Sequence, residues 1–453
     1  MKGCDRIMVN NPNKMTANQL IYAIKNRHIG IEELINFYLY RISKYDGING
    51  LNTIAEIDET VIKQARAMDV HKTGSDLPLY GLPILVKDNI DVCGLHTTAE
   101  SLALLDNIAS KDAPIIANLK KNGAIILGKT NMTEFANYTT QGMPCGYSSR
   151  GGQVKNAYDK TKSPGGSSSG SAVAVSAGFC AAAVGTDTSF SVVGCATDNG
   201  VTGLKPPVGI LSSVGIIPIA HTLDSAGALT KDFSDAYMLY SGMCKKPLNK
   251  ILPLEEGALR IAVNVFNQDQ VSEAQLKKHD TLFNRLKDEG ATFAEISQEY
   301  VPYQQDIMSC EFRKDLEEYL HNSNARLKYL SDIVNFYESN PEQMMRYGIT
   351  YLKSALNSTS GGINNELYLK ALAERKKLKK QVLKQLQEYD VCIMTGPTNI
   401  MHFTGLPSVA LRLGMAEDNT PRGIILYGSD EVRLYSAALT IEKYCQEVTR
   451  PKL

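Results

Sequence analysis

The chain has no tryptophan, no surplus of either charge and no long apolar run. Each absence excludes something. Its 48 basic and 48 acidic side chains cancel, which removes any electrostatic reason to expect nucleic acid or an anionic membrane as a partner. No stretch reaches the roughly 18 apolar residues that a membrane-spanning helix needs. The opening residues, MKGCDRIMVNNPNKMT, hold no apolar core, so no signal peptide is read there. The nine cysteines, at 4, 93, 145, 180, 195, 244, 310, 392 and 445, are odd in number, scattered and free of any CxxC pair. That pattern fits neither a disulfide framework nor a structural zinc site. It points to a reducing compartment, the cytoplasm.

What is present is ordinary for a globular protein with a real core: 453 residues, 43% hydrophobic and 21% charged. Residues 1–14 are polar and read as a flexible tail, and 15–453 read as one large domain. Ile31, Leu34, Ile35, Tyr38 and Ile42 recur at helical spacing and Gly47 stops that helix. A second helical stretch is expected at about 57–70. Short apolar runs follow, Leu82 to Val86, Ala124 to Leu127 and Ala181 to Val184, each bounded by Gly, Pro or a charge. Such runs read as strands buried on both faces. With helices between them, they predict an α/β fold, a mixed but mostly parallel central sheet covered by helices on both sides.

Residues 150–216 are rich in Gly and Ser, but interleaved apolar residues such as Val173, Val175 and Leu204 rule out a flexible linker. The stretch 267–390 is charged and helical in composition, and is expected to be an insertion on the substrate side. Within 365–388, Leu367, Ala371, Leu378, Val382 and Leu386 mark one face. Arg375, Lys376, Lys377, Lys379 and Lys380 lie mostly on the other and read as a solvated face. Val391 to Met394 reads as a further strand.

The chemistry is concentrated in PGGSSSGSA, Pro164 to Ala172, and GTDTSFS, Gly185 to Ser191. Glycines beside serines allow sharp turns that present a hydroxyl. Ser191 lacks the GxSxG elbow of α/β-hydrolases. A serine nucleophile needs a base, yet none of the seven histidines (28, 71, 96, 221, 279, 321, 402) stands beside these segments in sequence, so each reads as a core or surface residue. A lysine is the alternative. Lys87 ends the apolar run GLPILV, where burial would bring its pKa down from about 10.4 toward the working range.

Five segments in order, GLPILVKDNIDVCG, GAIILGKTNMTEFA, SPGGSSSGSAVAVSAG, AVGTDTSFS and GVTGLKPPVG, resemble the amidase signature family. The likeness continues through GIIPIAHTLDSAGALTKDFSDA and, more weakly, TGLPSVALRLGM. GYSSRGGQVKNAYD and GIIPIAHTLDSAG look closest to its peptide-amidase-like branch. The amidase-like polypeptide of glutamyl-tRNA amidotransferase is a more distant relative. The resemblance implies a triad of Lys87, Ser167 and the nucleophile Ser191, with a cis peptide bond before Ser167. It also implies an oxyanion hole from the backbone of Thr188, Ser189, Phe190 and Ser191. The implied activity is hydrolysis of a carboxamide C–N bond through an acyl-Ser191 intermediate, on a small-molecule or peptidyl amide. No metal or organic cofactor is implied, and a homodimer is compatible. Two alternatives stand beside it: the glutaminase-type component of an amidotransferase, and a catalytically impaired binding protein on the same scaffold.

Against the family pattern, Ser189 and Phe190 stand where two glycines are usual. Val193 and Cys195 stand where the family tends to carry Arg and Pro. Losing the arginine implies a lost buried anchor and a more apolar site, and Phe190 implies bulk near the acyl group. Glu134, Asp187 and Lys205 are expected to be structural, capping or bonding backbone. Thr188 is expected to help orient the triad, and Cys195 to be a small buried residue rather than a nucleophile.

Overall fold

The computed structural model describes residues 11–71, 74–358 and 365–453. One sheet of eleven strands organises them, in the order β1-β3-β2-β6-β8-β7-β12-β13-β11-β9-β10. The strands are β1 (Ile54–Ile57), β2 (Pro83–Lys87), β3 (Ile125–Thr130), β6 (Ala182–Asp187), β7 (Thr202–Lys205), β8 (Ser225–Thr230), β9 (Arg260–Asn264), β10 (Thr292–Ile296), β11 (Val391–Met394), β12 (Ser408–Met415) and β13 (Pro421–Tyr427). A small hairpin, β4 (Tyr147–Ser148) and β5 (Gly152–Gln153), lies apart. Helices flank the sheet, giving the expected α/β architecture. Every residue of β2, β3 and β6 is buried, as apolar runs without alternation require.

Parallel pairing holds the two flanks, β3-β2-β6 and β11-β9-β10. Between them β6, β8, β7, β12, β13 and β11 pair antiparallel. The parallel share is therefore smaller than expected. Parallel neighbours need a long crossover, whereas β12 and β13 are joined by a short turn over 416–420.

Helices form at Ile31–Tyr45, Val61–His71 and Glu366–Leu386, close to the predicted segments. The stretch 267–390 is largely helical but also supplies β10, an edge strand pairing with β9. Its TFAEI sequence is only half-buried, so the apolar signal of a central strand is missing. Arg375 departs from the solvated face assigned to it. Its guanidinium turns inward and donates to the carbonyls of Phe403 (2.7 Å) and Thr222 (2.6 Å). Of the expected N-terminal tail, 1–10 lie outside the described residues. Pro12–Lys14 form a 3-10 turn with Pro12 buried, and Lys231 Nζ donates to the carbonyls of Asn13 and Met15.

Candidate active site

Three elements meet at the carboxyl ends of the adjacent parallel strands β2 and β6. Lys87 is the last residue of β2 and is fully buried. Ser167 lies just before the helix Ser169–Ala177, whose small side chains SGSAVAVSA let it pack entirely inside the protein. Ser191 lies in the turn that leaves β6, before the helix Val193–Asn199. The Gly166–Ser167 peptide bond is cis. A Cβ on Gly166 would come within 2.8 Å of Cys145 Sγ and Thr133 Oγ1. The loop carrying Ser167 therefore passes where only glycine fits.

The three predicted side chains form one chain of polar atoms. Lys87 Nζ is 2.8 Å from Ser167 Oγ, and Ser167 Oγ is 3.0 Å from Ser191 Oγ. Lys87 Nζ also reaches Thr186 Oγ1 at 2.9 Å and the Thr186 carbonyl at 3.2 Å. Asn89 Nδ2 donates to Thr186 Oγ1 from the other side. Burial disfavours the ammonium and pushes Lys87 down to about 7, with the charge of Asp187 and Asp224 opposing. No carboxylate touches Lys87, so nothing nearby locks a proton on it.

The nucleophile turn is built differently. Asp187 Oδ2 accepts the backbone N–H of Val192 (2.7 Å) and Val193 (3.2 Å), which pins the start of the following helix. This is the backbone-bonding role expected of it. Phe190 sits at φ +66°, the left-handed region that favours glycine, so its side chain costs roughly 1–2 kcal/mol there. The turn thus reaches a glycine-like conformation with a phenylalanine in it. Among the described residues the backbone N–H groups of 189–191 have no hydrogen-bond acceptor.

The sequence reading missed the residue that supports this turn. His402, fully buried on the short helix Ile400–Thr404, packs edge-on against Phe190 with ring centroids 4.3 Å apart. Its Nδ1 lies 3.2 Å from Asp187 Oδ1, without hydrogen-bond alignment. Burial alone would raise the Asp187 carboxyl; His402, Lys205 and the Val192 N–H outweigh it and hold Asp187 at about 2. The anchor that an arginine at position 193 would supply thus comes from a distant part of the chain. Val193 and Cys195 are buried and apolar in character, as expected.

Asp224 was also missed. Its Oδ1 accepts from Thr188 Oγ1 at 2.6 Å, and its Oδ2 from the N–H groups of Ile219 and Ala220. Burial pushes its carboxyl up to about 7. Thr188 is therefore held by Asp224 rather than by the triad. Lys205 is structural, donating to the Leu406 carbonyl at 2.8 Å. Glu134 is buried and structural, binding the hydroxyls of Tyr337 and Ser149 and the Ser149 backbone.

Beside the triad lies a narrow cleft of about 20 Å³, lined by Asn89, Ala136, Thr186, Thr188, Leu211, Ile216 to Ile219 and Asp224 to Ala226. It is mostly apolar and is formed by the 211–219 loop more than by the helical stretch 300–360. That stretch lines a second chamber next door, through Asp315, Glu318, Tyr319 and Asn322. His221, Glu311 and Asp315 converge there within 4.8 Å. Their oxygens are already used: Asp315 binds the His221 N–H and Nδ1, and Glu311 binds Thr222 and Tyr368.

Buried Lys87, Ser167 and Ser191 thus stand in one line of polar atoms, beside a turn whose N–H groups are unengaged among the described residues. The family model for amidases matches residues 33–404, and the chain belongs to the amidase family. It is similar to the crystal structure of an amidase family protein from Bacillus anthracis, with TM-score 0.90 and 30% identity over 100% of this chain and 96% of that one. It is similar to the native peptide amidase of Stenotrophomonas maltophilia, with TM-score 0.89 and 26% identity over 97% and 98%. A glutamyl-tRNA(Gln) amidotransferase polypeptide of Legionella pneumophila is 32% identical over 435 residues, 87% of this chain and 83% of that protein. Among the described residues no helix is long and apolar enough to cross a membrane.

Proposed function

We propose that the protein hydrolyses a carboxamide through a covalent acyl-Ser191 intermediate. The observation that carries this is the unbroken path from Lys87 Nζ to Ser167 Oγ to Ser191 Oγ, at 2.8 and 3.0 Å, beside an apolar cleft. Neutral Lys87 accepts the Ser167 proton while Ser167 accepts the Ser191 proton, and Ser191 Oγ bonds to the carbonyl carbon. The carbonyl electrons move to oxygen, where N–H groups of the turn 188–191 meet the charge. A donor so placed typically lowers the barrier by about 3–4 kcal/mol. The proton returns along the same path to the leaving nitrogen, the C–N bond breaks and the amine or ammonia departs. Water then repeats the sequence on the acyl-enzyme. These steps run on the chain's own residues.

The apolar lining favours a neutral or hydrophobic acyl group over a small dicarboxylate half-amide, since the nucleophile turn offers no cation facing the cleft. The peptide amidase likeness supports a peptidyl amide among the candidates. The free cysteines of this chain suit a reducing compartment such as the cytoplasm. The test is a panel of primary carboxamides, including C-terminal peptide amides and glutamine, with ammonia as readout. Wild type releasing ammonia and Ser191→Ala releasing none supports the reading. Turnover confined to glutamine would move it to the glutaminase-type alternative. A folded wild type inert on the whole panel would leave only the binding-protein alternative.

A further inference from the structure

A second cavity, of about 500 Å³, lies at the far ends of the two helices that start beside Ser167 and Ser191. Ser176, in the last turn of Ser169–Ala177, and Gly200, which ends Val193–Asn199, both line it. The C-terminal segment closes one side through Val448 and Arg450, β12 contributes Arg412, and Lys231 contributes from the end of β8.

Two of the positive groups in this cavity are unspent, whereas Lys231 Nζ is held by the carbonyls of Asn13 and Met15. Among the described residues neither the Arg412 nor the Arg450 side chain makes a hydrogen bond or an ion pair, and Arg412 Nε is buried with no partner. Buried donors in folded proteins nearly always have partners, and an orphan calls for one. Ser176 Oγ, in a residue only 9% exposed, faces the Tyr158 hydroxyl without a hydrogen bond of ordinary geometry. Two acids, Asp232 and Glu447, also line the cavity. Asp232 caps the helix Phe233–Met243, and Glu442 accepts the Phe233 N–H. Glu447 is exposed, and no carboxylate lies within ion-pair distance of either guanidinium. Burial and the like charges of Arg41 and Arg412 depress Arg450, and burial with the neighbouring Arg450 brings Lys231 down to about 7.

We propose that this cavity is a binding site for a phosphate-type oxyanion, with the Arg412 and Arg450 guanidiniums and the Ser176 hydroxyl as its donors. Guanidinium forks suit a multi-oxygen anion better than a point charge does. The volume exceeds what one phosphate needs, and Val175, Val201 and Val448 give it an apolar side. Phosphate carried on a small organic body therefore fits it best. This site is separate from the triad, so its failure would not touch the amidase reading.

The experiment is calorimetric titration of the full chain with inorganic phosphate and with glycerol 3-phosphate, at constant ionic strength set by chloride. Saturable one-site binding is expected for at least one of them. A tighter constant for the ester indicates an organic phosphate, and equal constants indicate the free ion. Arg412→Met and, independently, Arg450→Met are expected to weaken binding at least tenfold. Lys380→Met, which removes one exposed charge elsewhere, is expected to leave it unchanged. Absence of saturable binding to wild type overturns the proposal, whatever the variants do. So does equal loss in Lys380→Met, or unchanged affinity in a folded Arg412→Met or Arg450→Met protein.

Discussion

The two banks of the proposed catalytic cleft are held by different means. On the relay bank, Lys87 and Ser167 are wholly buried, and Lys87 is fixed by Ser167 and by two atoms of Thr186. On the nucleophile bank, Ser189 and Phe190 are half-buried and 189–191 leave their N–H groups free. One residue there holds a left-handed backbone, and the turn depends on Asp187 and His402 beneath it. In the proposed reaction the relay needs a fixed proton path, which rigid burial gives. The nucleophile bank must keep donors unpaired for a charge that forms only during reaction. It cannot be stabilised by satisfying its own backbone, so it is stabilised from below.

The largest effect that would separate the banks is at Ser191. Ser191→Ala is expected to lower kcat by about 10⁴-fold or more while the thermal transition stays within a few degrees, since a nucleophile is not a packing residue. A variant that keeps substantial turnover would show that the reacting hydroxyl lies elsewhere. On the relay bank, Lys87→Met is expected to cost about 10²–10⁴-fold in kcat/KM, the usual range for a positioned base. Wild-type kcat/KM should rise with pH through about 7, where Lys87 loses its proton, and flatten above that. The sign follows because only the neutral amine accepts a proton. A profile that falls across pH 6–8 would place the base elsewhere.

His402→Leu sharpens the comparison through stability rather than chemistry. It removes the ring that packs on Phe190 and faces Asp187 Oδ1, a loss of about 1–3 kcal/mol on the scale of a buried polar group left without its neighbour. The thermal transition should drop by several degrees, and kcat should fall more than KM changes, because the turn loosens. An unchanged transition would mean that His402 only fills space. Phe190→Gly should have the smallest effect. Relief of the left-handed strain offsets lost contact with His402, so stability should stay within about 1 kcal/mol. Bulkier acyl groups should gain in kcat/KM relative to small ones.

The relay bank was legible in the sequence, and the nucleophile bank only partly so. Lys87 ends an apolar run and Ser167 stands among glycines, so local pattern and family resemblance agreed on both. Val391–Met394 was read as a strand for the same reason, a short apolar run with clear borders. His402 carried no such mark. Its partner Asp187 is far away in sequence, and the two meet only because β12 pairs with β7 and brings the preceding short helix over the turn. Asp224 was hidden likewise, since its work is to accept backbone N–H groups and one hydroxyl, which any Asp in a loop could do.

Acylation of Ser191 through Ser167 and Lys87 is the central claim. Intact-protein and peptide mass spectrometry after treatment with a fluorophosphonate at pH 8 tests it directly. The predicted result is one adduct, on Ser191, formed at least a hundredfold more slowly in Lys87→Met and Ser167→Ala. A folded wild type that takes up no label, or takes it on another residue at the same rate in all three proteins, would contradict it.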